Sequence, residues 1–143
     1  MTTKDLAHRW FTGIWNARNP AVIHELMHSE IVGCTEGGMV TGPEDYLENM
    51  DLPFTAAFPD LRVTVQGIVA EGDDAVVRWS ATGTHARPFG PVAASGRSVT
   101  YQGMTWLRVH DGKIREGCDR WNLHALLELL TAGTESATVK LAR

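Results

Sequence analysis

The period of the hydrophobic pattern changes near Pro59: apolar residues recur mostly at helical spacing before it and mostly alternate with polar ones from there to Trp121. Leu6, Trp10 and Ile14, with Phe11 and Trp15, form a broad stripe at i, i+4 and i+8. Thr2 followed by Asp5 opens that stretch as a capping box, which predicts a first helix to about Arg18. Asn19-Pro20 supplies an N-cap and a proline at the first helical position, predicting an antiparallel second helix to about Met27. Glu30 to Thr35 reads as a short strand ended by Gly37-Gly38. Gly42-Pro43 opens a third helix, with Pro53 disturbing its middle.

Beyond Pro59 the pattern predicts strands. Leu61, Val63 and Val65 alternate with Arg62, Thr64 and Gln66, the stretch from Glu71 to Asp74 is a turn, and Ala75 to His85 is a second strand. Pro88 to Gly96 is a loop by its prolines and glycines. Ser98 to His110 and Lys113 to Trp121 are arms of a hairpin, because Asp111-Gly112 suits the positive φ of a tight primed turn. Asn122 caps a terminal helix carrying Leu123, Leu126, Leu127 and Leu130, and from Thr131 to the end (about 132–143) a loose tail is expected. Helices followed by hairpin-connected strands predict an α+β fold: a cone-shaped barrel of curved, mainly antiparallel sheet, covered by the N-terminal helices around an apolar cavity.

Length and charge narrow the function classes. The 143 residues fit one domain, and 13 basic against 17 acidic residues give a net charge of −4 with no basic stripe, which argues against a nucleic-acid partner. No apolar run approaches the ~20 residues that cross a bilayer, so a soluble, cytoplasmic protein is expected. Cys34 and Cys118 lack metal-ligand spacing and read as buried thiols. His24 and His28 stand one turn apart on the predicted second helix, but no third ligand accompanies them, so no metal is expected. Glycine-rich nucleotide loops, nucleophile elbows and metalloprotease motifs are absent from the sequence.

The chemistry then falls to ordinary side chains. Alternation through the second hairpin arm places Arg115, Gly117, Asp119 and Trp121 on one face, and one bulge would exchange the two faces. A carboxylate on the covered face of a sheet is partly desolvated, which raises its pKa toward the range useful for proton transfer. Asp119 is therefore the candidate acid and base, with His85, at its strand's end, a second candidate that could polarise a carbonyl. Trp15, Tyr46, Met50, Phe54, Trp79, Tyr101, Thr105 and Trp121 are candidate walls for a large apolar ligand. Outward Met104 and Trp106 would leave an apolar patch, so a homodimer packed sheet to sheet is expected.

Phe58-Pro59-Asp60-Leu61, Gly83-Thr84-His85, Gly96-Arg97 with Val99, and the run from Leu107 to Glu116 leading to Asp119 together resemble the SnoaL-like polyketide cyclases of the nuclear-transport-factor-two-like α+β barrel superfamily. The resemblance reaches from the first helix to Leu130. It implies a pocket between the bent sheet and the first three helices, no metal or organic cofactor, and a carboxylate at Asp119 that moves protons during an intramolecular aldol closure of an aromatic polyketide in antibiotic biosynthesis. Those cyclases carry a histidine on the preceding strand where this chain has Thr105. The family also includes relatives associated with hydroxylating such polyketides, so hydroxylation with a separate reductase stands beside cyclisation. A non-catalytic ligand carrier is a third reading. Epoxide opening would need Arg78 to point inward, and the alternation around Val77 and Trp79 turns it outward.

Overall fold

The computed structural model describes residues 1–132 and 136–138. Helix α1 (Thr3–Arg9) begins with the expected reciprocal bonds between Thr2 and Asp5. It runs without a break into a π-helical stretch, Trp10–Asn16, two residues short of the expected end. Bonding from i to i+5 makes the turn wider than that of an α-helix, and Trp10, Phe11, Ile14 and Trp15 along it are buried. Arg18 adopts a positive φ of 54° and ends the segment. Asn19 then caps α2 (Pro20–Leu26).

Strand β1 (Met27–Thr35) starts three residues before the predicted strand and takes in His28. The helix stops at Leu26, so His24 and His28 do not share a helix face as expected: His24 Nε2 lies 3.1 Å from Glu44, and His28 Nδ1 accepts the Glu30 amide at 3.1 Å. Glu36 and Gly37 turn the chain into β2 (Gly38–Thr41), a strand too short to show a period in the sequence. The third helix appears in three pieces: α3 (Pro43–Tyr46), a π-helical stretch (Leu47–Asp51) and α4 (Leu52–Ala57). Pro53 lacks the amide that would continue an i−4 ladder, and the irregular register precedes it.

Strands β3 (Arg62–Glu71), β4 (Asp74–Thr84), β5 (Ser98–His110) and β6 (Lys113–Trp121) form where the alternation placed them, with β4 ending one residue before His85 and a bulge at Gln66 interrupting β3. The sheet order is β2-β1-β6-β5-β4-β3. Along this order pairing is antiparallel except between β1 and β6, which places the N-terminal strand beside the C-terminal hairpin. The β5–β6 register shifts between Arg108 and Val109, leaving Arg115 as the extra residue. This bulge moves Ile114, expected on the outer face, into the core, while Gly117, Asp119 and Trp121 stay on the inner side. Arg115, expected beside Asp119, instead reaches Glu30 at 3.1 Å.

Helix α5 (Leu123–Thr131) is capped by Asn122 and buries Leu126 and Leu130. The loose tail expected after it needs correction where it is described: residues 136–138 form a strand, β7 (Ser136–Thr138), parallel to the start of β5 on the edge that β6 occupies farther along. The rest of that expectation lies outside the described residues. The fold is α+β, a curved and mainly antiparallel sheet with helices over its concave side, and the apolar core fills the space between. No helix among the described residues is long and apolar enough to cross a membrane.

Candidate active site

Strands β4, β5 and β6 lie side by side, and their inward residues floor one cavity. Trp79, Tyr101, Thr105, Asp119 and Trp121 come from the sheet, and Trp15, Tyr46, Met50 and Phe54 come from the helices above. Nine of the ten residues singled out in the sequence thus surround one space. Its remaining lining includes Trp10 and Phe11, which had been read only as parts of a helical stripe. The aromatic packing is mostly edge to face: Trp15 stands 6.5 Å from Tyr46 and 6.2 Å from Phe54, while Tyr101 stacks on Trp121 at 4.9 Å.

Asp119 is the carboxylate of this aromatic chamber. Thr105 Oγ1 donates to Asp119 Oδ1 at 2.6 Å, and Trp79 Nε1 donates to Thr105 Oγ1 at 2.9 Å. Gly103 makes the second bond sterically feasible, since the indole of Trp79 lies over the place where a side chain at 103 would stand. Among the described residues Asp119 makes no ion pair. Burial among the rings pushes its pKa up to about 6; the Thr105 bond opposes that, the nearby Glu36 adds to it, and Arg120 opposes it again. Glu36 is held close by accepting the Trp121 amide at 2.7 Å. Burial and the charge of Asp119 both raise the phenol pKa of Tyr46 and Tyr101, which keeps the two rings neutral hydrogen-bond donors.

His85 does not join this group. Its ring is fully buried beside Phe58, at 5.5 Å, and is no part of the cavity wall. Nδ1 accepts the Ser95 amide at 3.1 Å and lies 2.8 Å from the Ser95 hydroxyl. An N–H can only donate, so the ring proton sits on Nε2, which has no partner among the described residues. Burial, then Arg97, lowers the His85 pKa and keeps the ring neutral. Its position corrects the expectation of a carbonyl-polarising role: His85 fastens the loop before β5. Arg78 also points away from the cavity, as expected, and bonds Gln66 at 3.1 Å.

No motif marks Asp51, a second buried carboxylate at the end of the π-helical stretch of the third helix, with Oδ1 unpartnered among the described residues. Burial raises its pKa to about 6 against the opposing charge of Arg18. It does not line the cavity.

The cavity is small, about 40 Å³. Drug-sized ligands occupy pockets of about 300–1,000 Å³, so its walls must move for a large ligand to enter. Met50, Phe54 and Trp121 also line an outer depression of about 130 Å³ beside Glu36 and Leu123, and they form the partition between the two spaces. Met50 sits on the π-helical stretch of the third helix and Phe54 on α4, which follows it.

The model of the SnoaL-like polyketide cyclase family matches residues 5–130. Among solved structures, a candidate SnoaL-like polyketide cyclase from Jannaschia sp. CCS1 is 26% identical, with 92% of this chain and 93% of that one covered and a TM-score of 0.84. AclR, a candidate hydroxylase from Streptomyces galilaeus, is 30% identical over 92% of this chain and 97% of its own, with a TM-score of 0.79. IdmH, a candidate polyketide cyclase from Streptomyces antibioticus, is 26% identical over 92% and 99%, with a TM-score of 0.77. No match was found among curated proteins.

Proposed function

Because the chain belongs to the SnoaL-like polyketide cyclase family, we propose that it is a cofactor-independent acid and base enzyme of aromatic polyketide biosynthesis, closing a ring by an intramolecular aldol reaction. The observation that carries this reading is Asp119, the one carboxyl group among the described residues that line the aromatic cavity, with its pKa raised to about 6. Such a group is divided between its two protonation states near neutrality, so it can take a proton and return one within a single turnover. The ionised carboxylate removes the acidic C–H proton of the polyketide. The resulting enolate attacks the internal carbonyl carbon, and the carboxylic acid then delivers its proton to the new alkoxide oxygen. Neutral phenols at Tyr46 and Tyr101 are suited to donate hydrogen bonds to a carbonyl oxygen as charge develops on it. The flat rings of Trp121 and Phe54 suit a polycyclic substrate entering past the Met50 partition.

Thr105 favours a second reading. Where the cyclases of the resemblance carry a titratable histidine, this residue cannot titrate near neutral pH, and one similar structure is that of a candidate hydroxylase. Hydroxylation would consume dioxygen and two electrons from a separate reductase, placing one oxygen atom on carbon and releasing the other as water. Incubating the protein with anthracycline-type intermediates under labelled dioxygen, then anaerobically, with and without a reductase, distinguishes the chemistries by mass. An isomer of unchanged mass formed without oxygen is expected for cyclisation. Gain of one labelled oxygen would replace that reading with hydroxylation, and the absence of any conversion would leave a ligand carrier.

We further propose that the outer face of the sheet pairs with a second copy of the chain. Met104 is 51% and Trp106 53% exposed in the middle of β5. Glu116 and Arg120, of opposite charge, share that face, so a two-fold copy can set each against the other. Light scattering is expected to give the mass of a dimer, and Trp106→Glu the mass of a monomer. A monomeric parent protein would end this proposal.

A further inference from the structure

Thr105 shares the cavity with Asp119, yet its hydroxyl is already committed on both sides. The indole N–H of Trp79 can only donate, so it occupies a lone pair of Thr105 Oγ1, 2.9 Å away. The one proton of Thr105 is then free to point at Asp119 Oδ1, 2.6 Å away, a length typical of a hydroxyl donating to a carboxylate. Were the carboxyl proton to sit on Oδ1, it would take the remaining lone pair of Thr105. The threonine proton would then be left without an acceptor in a site only 3% exposed, an expensive arrangement.

We infer that Thr105 is a positioning residue: Trp79 orients its hydroxyl, the hydroxyl holds Asp119 Oδ1 as a permanent acceptor, and every proton the carboxyl exchanges with substrate passes through Oδ2. This inference rests on the acid and base role proposed for Asp119, and it replaces the expectation that Thr105 binds substrate. It also accounts for a threonine serving at this position: a residue donating to Asp119 without titrating fixes the carboxyl in one orientation through both protonation states. The other groups that act on Asp119 electrostatically are Glu36 from the β1–β2 turn, Arg120 from its own strand, Tyr46 from α3, Tyr101 from β5 and Cys118 from its own strand. Tyr46, Tyr101 and Cys118 stay neutral through the range in question, since the shifts of all three are upward. Glu36 and Arg120 are left unchanged by the test.

The test follows the carboxyl carbon of Asp119 by NMR in aspartate-labelled protein from pH 3 to pH 9, together with the pH profile of turnover on the polyketide that the labelled-oxygen assay identifies. In Thr105→Val, a near-isosteric change, the Asp119 midpoint is expected to rise, because a bond that favours the carboxylate is gone. The acid limb of the rate profile moves with it, and kcat falls by about 10- to 100-fold with KM nearly unchanged. Thr105→Ser restores both. Trp79→Phe, which removes the orienting N–H, raises the midpoint by less than Thr105→Val, since the hydroxyl loses the polarisation a linked bond provides. An unmoved midpoint in Thr105→Val overturns the inference, as does a serine variant as impaired as the valine one, which would assign the effect to packing. No shift in Trp79→Phe removes the tryptophan from the device. A midpoint that moves while the rate profile stays fixed keeps the bond to Asp119 and removes Asp119 as the acid, so failure of the functional reading is told apart from failure of the positioning.

Discussion

Asp119→Asn is expected to fold, to become more stable than the parent above pH 6, and to lose turnover by about 10²- to 10⁴-fold, the range that a positioned general acid or base supplies. Asparagine keeps the shape and can still accept the Thr105 hydroxyl, but it cannot exchange a proton. The stability gain comes from the direction in which the pKa moves. Asp119 titrates at about 6 in the folded chain and near 3.9 when unfolded. Between those values the unfolded chain has released its proton while the folded one keeps it, so stability falls as pH rises through this window. A difference of about two pKa units corresponds to at most about 3 kcal/mol above pH 6, lessened by the access the part-buried carboxyl keeps to the cavity. Asp51, also raised to about 6, adds a fall of the same sign. It is present in both proteins, so comparing them cancels its share. Thermal unfolding should therefore show a gap between Asp119→Asn and parent that grows by several degrees from pH 4 to pH 8. A gap independent of pH would mean that the carboxyl is not desolvated, and undiminished turnover would end its role as the acid.

What could be read in the sequence follows the range of the interactions involved. The Asp111-Gly112 turn is local chemistry, and both residues adopt the positive φ it requires, 52° and 73°. Alternation in β4 and β5 placed Trp79, Tyr101 and Thr105 on the inner face, because a period of two leaves no freedom once one side is covered. Asp119 was placed correctly for a reason the sequence did not contain: the bulge at Arg115 shifts Ile114 and leaves the residues after it in place. Trp10 and Phe11 were missed as cavity residues because an apolar helical stripe marks a buried face without saying whether packed core or a cavity lies beneath it. His85 shows what a strand end conceals. Its sequence neighbourhood was right, but the direction of its ring depends on Phe58 and Ser95, more distant in the chain. Asp51 was invisible for the same reason, since burial of a charge is a property of the surrounding helices. The bond from Trp79 to Thr105 joins two strands diagonally, Trp79 standing opposite Gly103 and Thr105 opposite Val77. A residue with no side chain at 103 is what lets the indole cross.

Gly103→Ala is accordingly expected to be among the most damaging single-atom additions the chain can suffer. A β-carbon at 103 would stand 2.5 Å from Trp79 Cζ2, 2.8 Å from Cη2 and 2.9 Å from the carbonyl oxygen of Arg120. None of these belongs to the loose end of a flexible side chain. Residue 103 is held by β4 on one edge and β6 on the other, so the backbone has little room to retreat. The strain must go into the indole, which swings away, breaks its bond to Thr105 and intrudes on the cavity. Overpacking of this kind costs about 1–3 kcal/mol, and the lost bond adds about 1 kcal/mol more. Gly67→Ala is the matched control: it lies on edge strand β3, where a β-carbon meets nothing within 4 Å. The control should unfold within a degree or two of the parent, or slightly above it, because alanine restricts the unfolded chain. Gly103→Ala should unfold well below it, and its folded fraction should show the raised Asp119 midpoint expected of Trp79→Phe. Equal stability of the two alanine variants would mean that Trp79 does not lie across β5. A destabilised Gly103→Ala with an unchanged Asp119 midpoint would separate the packing of the indole from its hold on Thr105.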